Sequence, residues 1–218
     1  IERERLLRTL AEEGLLEKNA GLTVPVPPLR VGLVTSVGSA AHADFSTELS
    51  HSGLAFTILE RDTRVQGEKV AGDIAEGLRI IASYQPDVIA LVRGGGSATD
   101  LVAFDSEVVA RTIAGLGIPI WTGIGHEVDR SIADEAAHTA FKTPTACAAA
   151  LVERGRSFAG LVETMRSEIV GRAFLMVEQS SQRQADLARR AARAARTALT
   201  RHEDGLAGIT SQLQALDP

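Results

Sequence analysis

The feature that most constrains the fold is an alternation. Four apolar runs of strand length, "RVGLVTS" (30–36), "LAFTILE" (54–60), "DVIALVR" (87–93) and "IPIWTGI" (118–124), are separated by stretches with helical spacing at about 39–51, 67–85 and 100–116. Within the second helical stretch Val70, Ile74, Leu78 and Ile81 recur at intervals of four, four and three, which places them on one face. The strand runs are rich in β-branched residues, nearly continuously apolar and bounded by Gly, Pro, Ser or Asp. Strands of that texture belong to a parallel sheet covered on both faces. The expected architecture is therefore an open, doubly wound, Rossmann-like α/β sheet of about four strands over residues 28–145. In such sheets ligands bind beyond the carboxyl ends of the strands, at a topological switch point.

Before this domain, residues 1–18 have a helical period and "TVPVPPLR" ends it, so 1–27 reads as an N-terminal helix and a Pro-rich linker. After it the texture changes. From 146 to 218 the basic residues are all Arg, and Phe158, Val162, Met165, Ile169 and Met176 keep spacings of four, three, four and seven. Leu206, Ile209, Leu213 and Leu216 resume the pattern, which fits long C-terminal helices with a coiled-coil-like seam, broken or turned at "HEDG" (202–205). Within this region "QRQADLARRAARAARTALTR" (182–201) carries six arginines against one aspartate. It is either a solvated helix face or a stripe able to bind phosphate despite a net charge of −5 for the whole chain.

No apolar stretch approaches the roughly 20 residues of a membrane span, and no signal peptide opens the chain, so the expectation is a cytoplasmic protein without a membrane partner. The first residue is Ile1 rather than Met, which reads as part of something longer. The single cysteine, Cys147, leaves no disulfide framework and reads as a small buried hydrophobe.

Three loops converge at the carboxyl ends of the expected strands: "TSVGSAAHAD", "RGGGSATD" and "GIGHEVD". In the second, Gly94, Gly95 and Gly96 let the backbone approach a bulky anion and adopt positive φ. The amides and positive dipole end of the following helix would then hold a phosphate. Arg93 adds a bidentate fork, and Ser97 is placed to cap the helix. The loop has neither the Gly-Lys-Ser/Thr of a nucleotide-phosphate loop nor the G-x-G-x-x-G of a dinucleotide site. In the third loop, a helix beginning near His126 would put His126, Asp129 and Arg130 on one face and Glu127 elsewhere. An imidazole–carboxylate pair of this kind moves protons near neutral pH, although His126 can equally cap a turn. Asp44, after the first strand, would approach the same cleft or remain a surface carboxylate. Asp44, Asp100, Asp105, Glu127 and Asp129 could be read as a divalent-metal cluster, but their spacing follows no ligand pattern.

The segments "VTSVGSAAHADF", "VQGEKVAGDIAEGL", "RGGGSATDLVAFDSEVVARTI", "GIGHEVDRSIADEAA" and "TPTACAAALV" come in the order found in the large subunit of exodeoxyribonuclease VII. The sequence resembles that family from about residue 3 to 155. The resemblance implies a nuclease that degrades single-stranded DNA from either end to short oligonucleotides, without a required cofactor or divalent metal. It also implies a small-subunit partner bound by the C-terminal helices. On the same basis His126, Asp129, Arg93 and Asp44 are the catalytic candidates. Gly94, Gly95, Gly96, Ser97, Ser36 and Lys142 are the phosphate- and DNA-binding ones, with Asp100, Glu127 and Asp134 supporting. The sequence departs from the family at several positions. Val102 replaces a tryptophan, Thr99 an acidic residue, Ala140 an arginine and Lys142 a proline, and Ser-Pro-Thr-Gly of the first loop reads "SVGS" (36–39). These departures speak for the alternative, a diverged module that binds single-stranded nucleic acid or serves assembly without cutting.

Overall fold

A computed structural model describes residues 2–65, 70–94, 98–125 and 130–214. Five parallel strands form one sheet: β1 (Arg30–Thr35), β2 (Thr57–Asp62), β3 (Val88–Val92), β4 (Ile120–Gly123) and β5 (Thr139–Ala140), in the order β2-β1-β3-β4-β5. The helices are α1 (Glu2–Glu12), α2 (Ala40–His51), α3 (Val70–Ser83), α4 (Glu107–Gly115), α5 (Ile132–Ala136) and α6 (Pro144–Gln214), with a 3-10 turn over Ala98–Asp105. The class is the expected α/β with a long C-terminal helix. By contact the chain divides into two compact units, Ile1–Gly160 and Leu161–Pro218.

Alternation along the strands explains why both faces are dry. Ile89 and Leu91 of β3 point into one core with Ile74 and Leu78 of α3, Val109 and Ile113 of α4, and Ile132 of α5. Val88, Ala90 and Val92 point into the other with Phe45 and Leu49 of α2 and with Cys147 and Leu151 at the start of α6. Every residue of β3 is buried, as a central parallel strand requires. Cys147 is fully buried, and its thiol is pushed well above the usual range by burial.

The segment before β1 is part of the first unit. Leu10 of α1 is in the core. The helix stops at Gly14, whose φ of +67° suits glycine; Gly14 N–H donates to the Ala11 carbonyl and Leu15 N–H to that of Leu10, a Schellman closure. The helical period read over 1–18 thus ends at Glu12. Buried Asn19 then ties the segment to the connection between α4 and β4. Its amide donates to the carbonyls of Ile113 (3.1 Å) and Ile118 (3.0 Å) and its oxygen accepts from Ile120 N–H (2.8 Å). His138 does the same from the other side, its Nε2 meeting the Leu22 carbonyl at 3.1 Å while Nδ1 meets the Thr139 hydroxyl at 2.8 Å. Burial pulls the His138 pKa below its ordinary value, against the opposing pull of the hydrogen bond to the Leu22 carbonyl.

Five sequence expectations are corrected. The sheet has five strands rather than about four, because a two-residue strand such as β5 has no period to read. The second strand is Thr57–Asp62, not 54–60: Leu54 and Phe56 lie before it, and Glu60, Arg61 and Asp62 are tolerated because β2 is a solvated edge. The single helix over 100–116 is a 3-10 turn followed by α4, divided at Ser106, whose backbone is extended. A helix beginning near His126 does not run through Arg130. Arg130 is non-helical, and α5 starts at Ile132 with Ser131 as its N-cap. Across 202–205 α6 continues without a break. Among the described residues no helix is long and apolar enough to cross a membrane.

The end of β4 is packed directly against the start of α6. A Cβ on Gly123 would lie 3.0 Å from the Thr143 carbonyl oxygen and 3.2 Å from both Pro144 N and Pro144 Cα, all backbone atoms with little room to give. Gly123→Ala should therefore lower unfolding stability by about 1–3 kcal/mol, the usual range for overpacking. Urea unfolding followed by circular dichroism checks this, and an unchanged midpoint would contradict it.

Candidate active site

With the order β2-β1-β3-β4-β5, the chain leaves β1 toward one edge and resumes with β3 on the other side. The switch point therefore lies between the carboxyl ends of β1 and β3. Here the loop after β1 and the start of the glycine loop meet. A Cβ on Gly94 would be 3.5 Å from Ala41 Cβ and 3.6 Å from Ala41 N, so the glycine backbone rests against the first turn of α2. That contact would be ordinary for a methyl group, and Gly94 is not among the glycines at positive φ, so neither space nor dihedral demands glycine at this position. Gly95, Gly96 and Ser97 lie outside the described residues, as do His126, Glu127 and Asp129, so their pairing and the cap expected of Ser97 are not described. Asp100 lies in the 3-10 turn Ala98–Asp105.

The loop carrying Ser36 is a tight turn held from the neighbouring strand. Ser39 N–H donates to the Ser36 carbonyl (3.1 Å), with Gly38 at φ +83°. Val37 N–H donates to Asp62 Oδ1 at the end of β2 (3.0 Å). Gly38 N–H points to His42 Nδ1 (3.4 Å), which leaves Nε2 as the donor to Glu60 Oε1 (2.9 Å). Ser39 then caps α2, its hydroxyl accepting from His42 N–H at 3.2 Å. The turn thus aims the amino end of α2, with its positive dipole end, at the switch point. Asp44 sits farther along α2 and is exposed.

Arg93 follows β3 and pairs its N–H with the Gly123 carbonyl at 3.2 Å. Its side chain is only 1% exposed, and it is not without a partner. The bidentate fork expected at the strand tip is thus a buried side chain at the end of β3.

At the end of β4, Gly125 has φ +80° and faces the Lys142 carbonyl oxygen, 3.6 Å from where its Cβ would be. Lys142 is exposed and stands just before α6, whose N-cap is Thr143: its hydroxyl accepts from Ala146 N–H (3.0 Å) and its carbonyl from Cys147 N–H (3.1 Å). Asp134 has a different environment. One oxygen accepts from Ser131 N–H (2.9 Å) and Ser131 Oγ (2.8 Å), the other from Thr122 Oγ1 (2.5 Å). It closes a capping box and bolts α5 to β4. Asp105 is likewise engaged, accepting from Ile132 N–H (2.9 Å) with Arg3 at 3.5 Å. Among the described residues no cluster of three or more metal-ligating side chains occurs.

The edge therefore assembles Ser36, Gly94 and the start of α2 at the β1/β3 crevice, with Lys142 and the start of α6 beside β4. Sequence reading missed the residues that hold these loops: Asp62, Glu60 and His42 for the first, Thr122 and Ser131 for the third. Their only signal is the position of a polar residue at a strand end or helix start. Val102, where the family carries a tryptophan, is 69% exposed, so this departure removes no core packing. Replacing Asp134 by alanine should cost about 2–3 kcal/mol, through a lost cap and orphaned Thr122 and Ser131 groups. Denaturant unfolding of the variant measures it, and wild-type stability would overturn the bolt described above.

Comparison with known proteins gives this edge its context. The sequence profile described as exonuclease VII, large subunit, matches residues 15–217. The exodeoxyribonuclease 7 large subunit of Geotalea uraniireducens is 38% identical over 167 residues, covering 76% of this chain and 37% of that protein. That of Photobacterium profundum is 43% identical over 152 residues, 69% of this chain and 34% of that protein. That of Thermotoga maritima is 40% identical over 148 residues, 68% and 37% respectively. The chain thus spans little more than a third of the length of the curated relatives it matches. A profile that takes in both compact units, and relatives near 40% identity across most of the chain, establish that this chain belongs to the exonuclease VII large-subunit family.

Proposed function

We propose that the chain carries the catalytic domain and part of the helical region of an exodeoxyribonuclease large subunit. In this reading it hydrolyses phosphodiester bonds of single-stranded DNA from either end, together with a small subunit held by its C-terminal helical region and without a required metal. The observation that carries the reading is the family match running through residues 15–217. The carboxyl edge of the sheet supports it, since helix-start amides at the β1/β3 crevice, the guanidinium after β3 and the exposed lysine beside β4 all favour a polyanion.

The chemistry follows from those groups. The scissile phosphate lies over the glycine loop, where amides of Gly94, Gly95 and Gly96 and the charge of Arg93 stabilise the added negative charge of the transition state. His126, oriented by Asp129, takes a proton from water as the water oxygen bonds to phosphorus. The bond to the leaving sugar oxygen breaks, and that oxygen receives a proton. Ser36 and Lys142 hold flanking phosphates. Asp44 is exposed on α2 and orients water or substrate from that side. Asp100, Glu127 and Asp134 support the loops.

The test uses the full-length protein assembled with its small subunit, on end-labelled single-stranded DNA with excess EDTA. Wild type should release short oligonucleotides, and His126→Ala should be slower by about 10²–10⁴-fold, the usual worth of a positioned proton-transfer group. Full activity in His126→Ala would remove that assignment. Binding without any cleavage by wild type, with Mg²⁺ or Mn²⁺ restored, would favour the diverged binding module instead.

A further inference from the structure

Within the second unit, α6 is divided lengthwise by charge. At 100° per residue, Arg183, Arg189, Arg190, Arg193, Arg196 and Arg201 all fall within one arc of about 140°, and all six are exposed. The remaining arc over the same turns holds Ala188, Ala191, Ala195 and Ala198 with Leu187 and Leu199. Among the described residues the only ion pair on the basic arc joins Arg189 to Asp186, at 3.7 Å and on the surface. Thr197 and Thr200 share the arc, and each hydroxyl donates back to the helix, to the carbonyls of Arg193 (3.0 Å) and Arg196 (3.1 Å), leaving its oxygen able to accept.

A solvated helix usually interleaves acidic and basic residues at i, i+4, as Glu163 and Arg166 or Glu168 and Arg172 do one i, i+3 or i, i+4 step apart earlier in α6. The stretch from 183 to 201 does not. Its arginines stand at i, i+3, i+4 and i+7, where like charges repel and cost helix stability. A polyanion relieves that repulsion, and guanidinium groups match phosphate oxygens bidentately. The arc extends about 27 Å along the helix, enough to follow a backbone rather than grip one anion.

We infer that the arginine arc of α6, from Arg183 to Arg201, is a second, sequence-independent contact for the phosphate backbone of single-stranded DNA, outside the sheet-edge site. The inference rests on the reading that single-stranded DNA is the substrate. The arc tethers the strand, and the sheet edge cuts it. Tethering adds to affinity without touching the reacting phosphate, so it lowers KM and leaves kcat alone.

The experiment compares the full-length protein, assembled with its small subunit, with a variant carrying Arg189→Gln, Arg190→Gln, Arg193→Gln and Arg196→Gln, and with the corresponding Arg→Lys variant. Glutamine and lysine are close to arginine in helix propensity, so far-UV circular dichroism should not change. Fluorescence anisotropy with a labelled oligothymidine is measured over a salt series. Each phosphate neutralised on a single strand contributes about 0.7 to the slope of log K against log salt, so the Gln variant should lose about 2–3 from that slope and bind about 10-fold or more weakly. The Lys variant should keep most of the slope, and kcat should be unchanged in both. An unchanged slope and affinity in a Gln variant whose wild type binds and cuts would overturn the inference while leaving the nuclease reading intact. Loss of the small subunit from the Gln variant, with DNA affinity retained, would also overturn it and make the arc a protein interface. A wild type that neither binds nor cuts single strands would instead remove the nuclease reading.

Discussion

A parallel sheet must be dry on both faces, because each crossover lays a helix over it, and this single constraint sets out everything else in the first unit. β3 is buried at every residue, so its neighbours must alternate their side chains between two separate cores. α2, α5 and α6 follow β1, β4 and β5 in the chain, so their amino ends, capped by Ser39, Ser131 and Thr143, lie at the carboxyl edge of the sheet. That winding brings helix amino ends to this edge before any side chain contributes, and Arg93 follows β3 there with its side chain buried.

Much of the acidic character at the same edge is turned inward. Asp62 holds the Val37 amide, Asp134 holds Ser131 and Thr122, and Asp105 holds the first amide of α5. Each joins a loop to an element that is not its chain neighbour. These carboxylates are thus occupied in fixing loops.

The alternation of apolar runs with helical spacings was sufficient to read the sheet, because burial of both faces writes itself into long, nearly uninterrupted runs such as 87–93. What could not be read was whatever depends on a single polar residue meeting a distant backbone. Asn19 in the segment taken for a linker bonds three groups around β4, yet nothing in "EKNAGL" distinguishes it from a turn residue. β5 is two residues long, and the division of 100–116 turns on one extended serine. For the site, the glycine motif follows β3 and so lies at the carboxyl edge of the sheet. The burial of Arg93 was not legible, since an arginine at the end of an apolar run carries no sign of which way its side chain packs. His126 and Asp129 were paired on their i, i+3 spacing before any family resemblance, and their roles remain proposals.

The central claim is that nucleic acid is bound at the carboxyl edge, over the β1/β3 switch point. Hydrogen–deuterium exchange of the full-length protein with its small subunit, with and without a cleavage-resistant phosphorothioate oligothymidine, tests it most directly. The account predicts slowed exchange in peptides covering 36–42, 93–97 and 125–131, with no change at 53–56, 84–87 and 116–119 on the opposite edge. Protection of the opposite edge, with 36–42 and 93–97 exchanging as in the free protein, would contradict it.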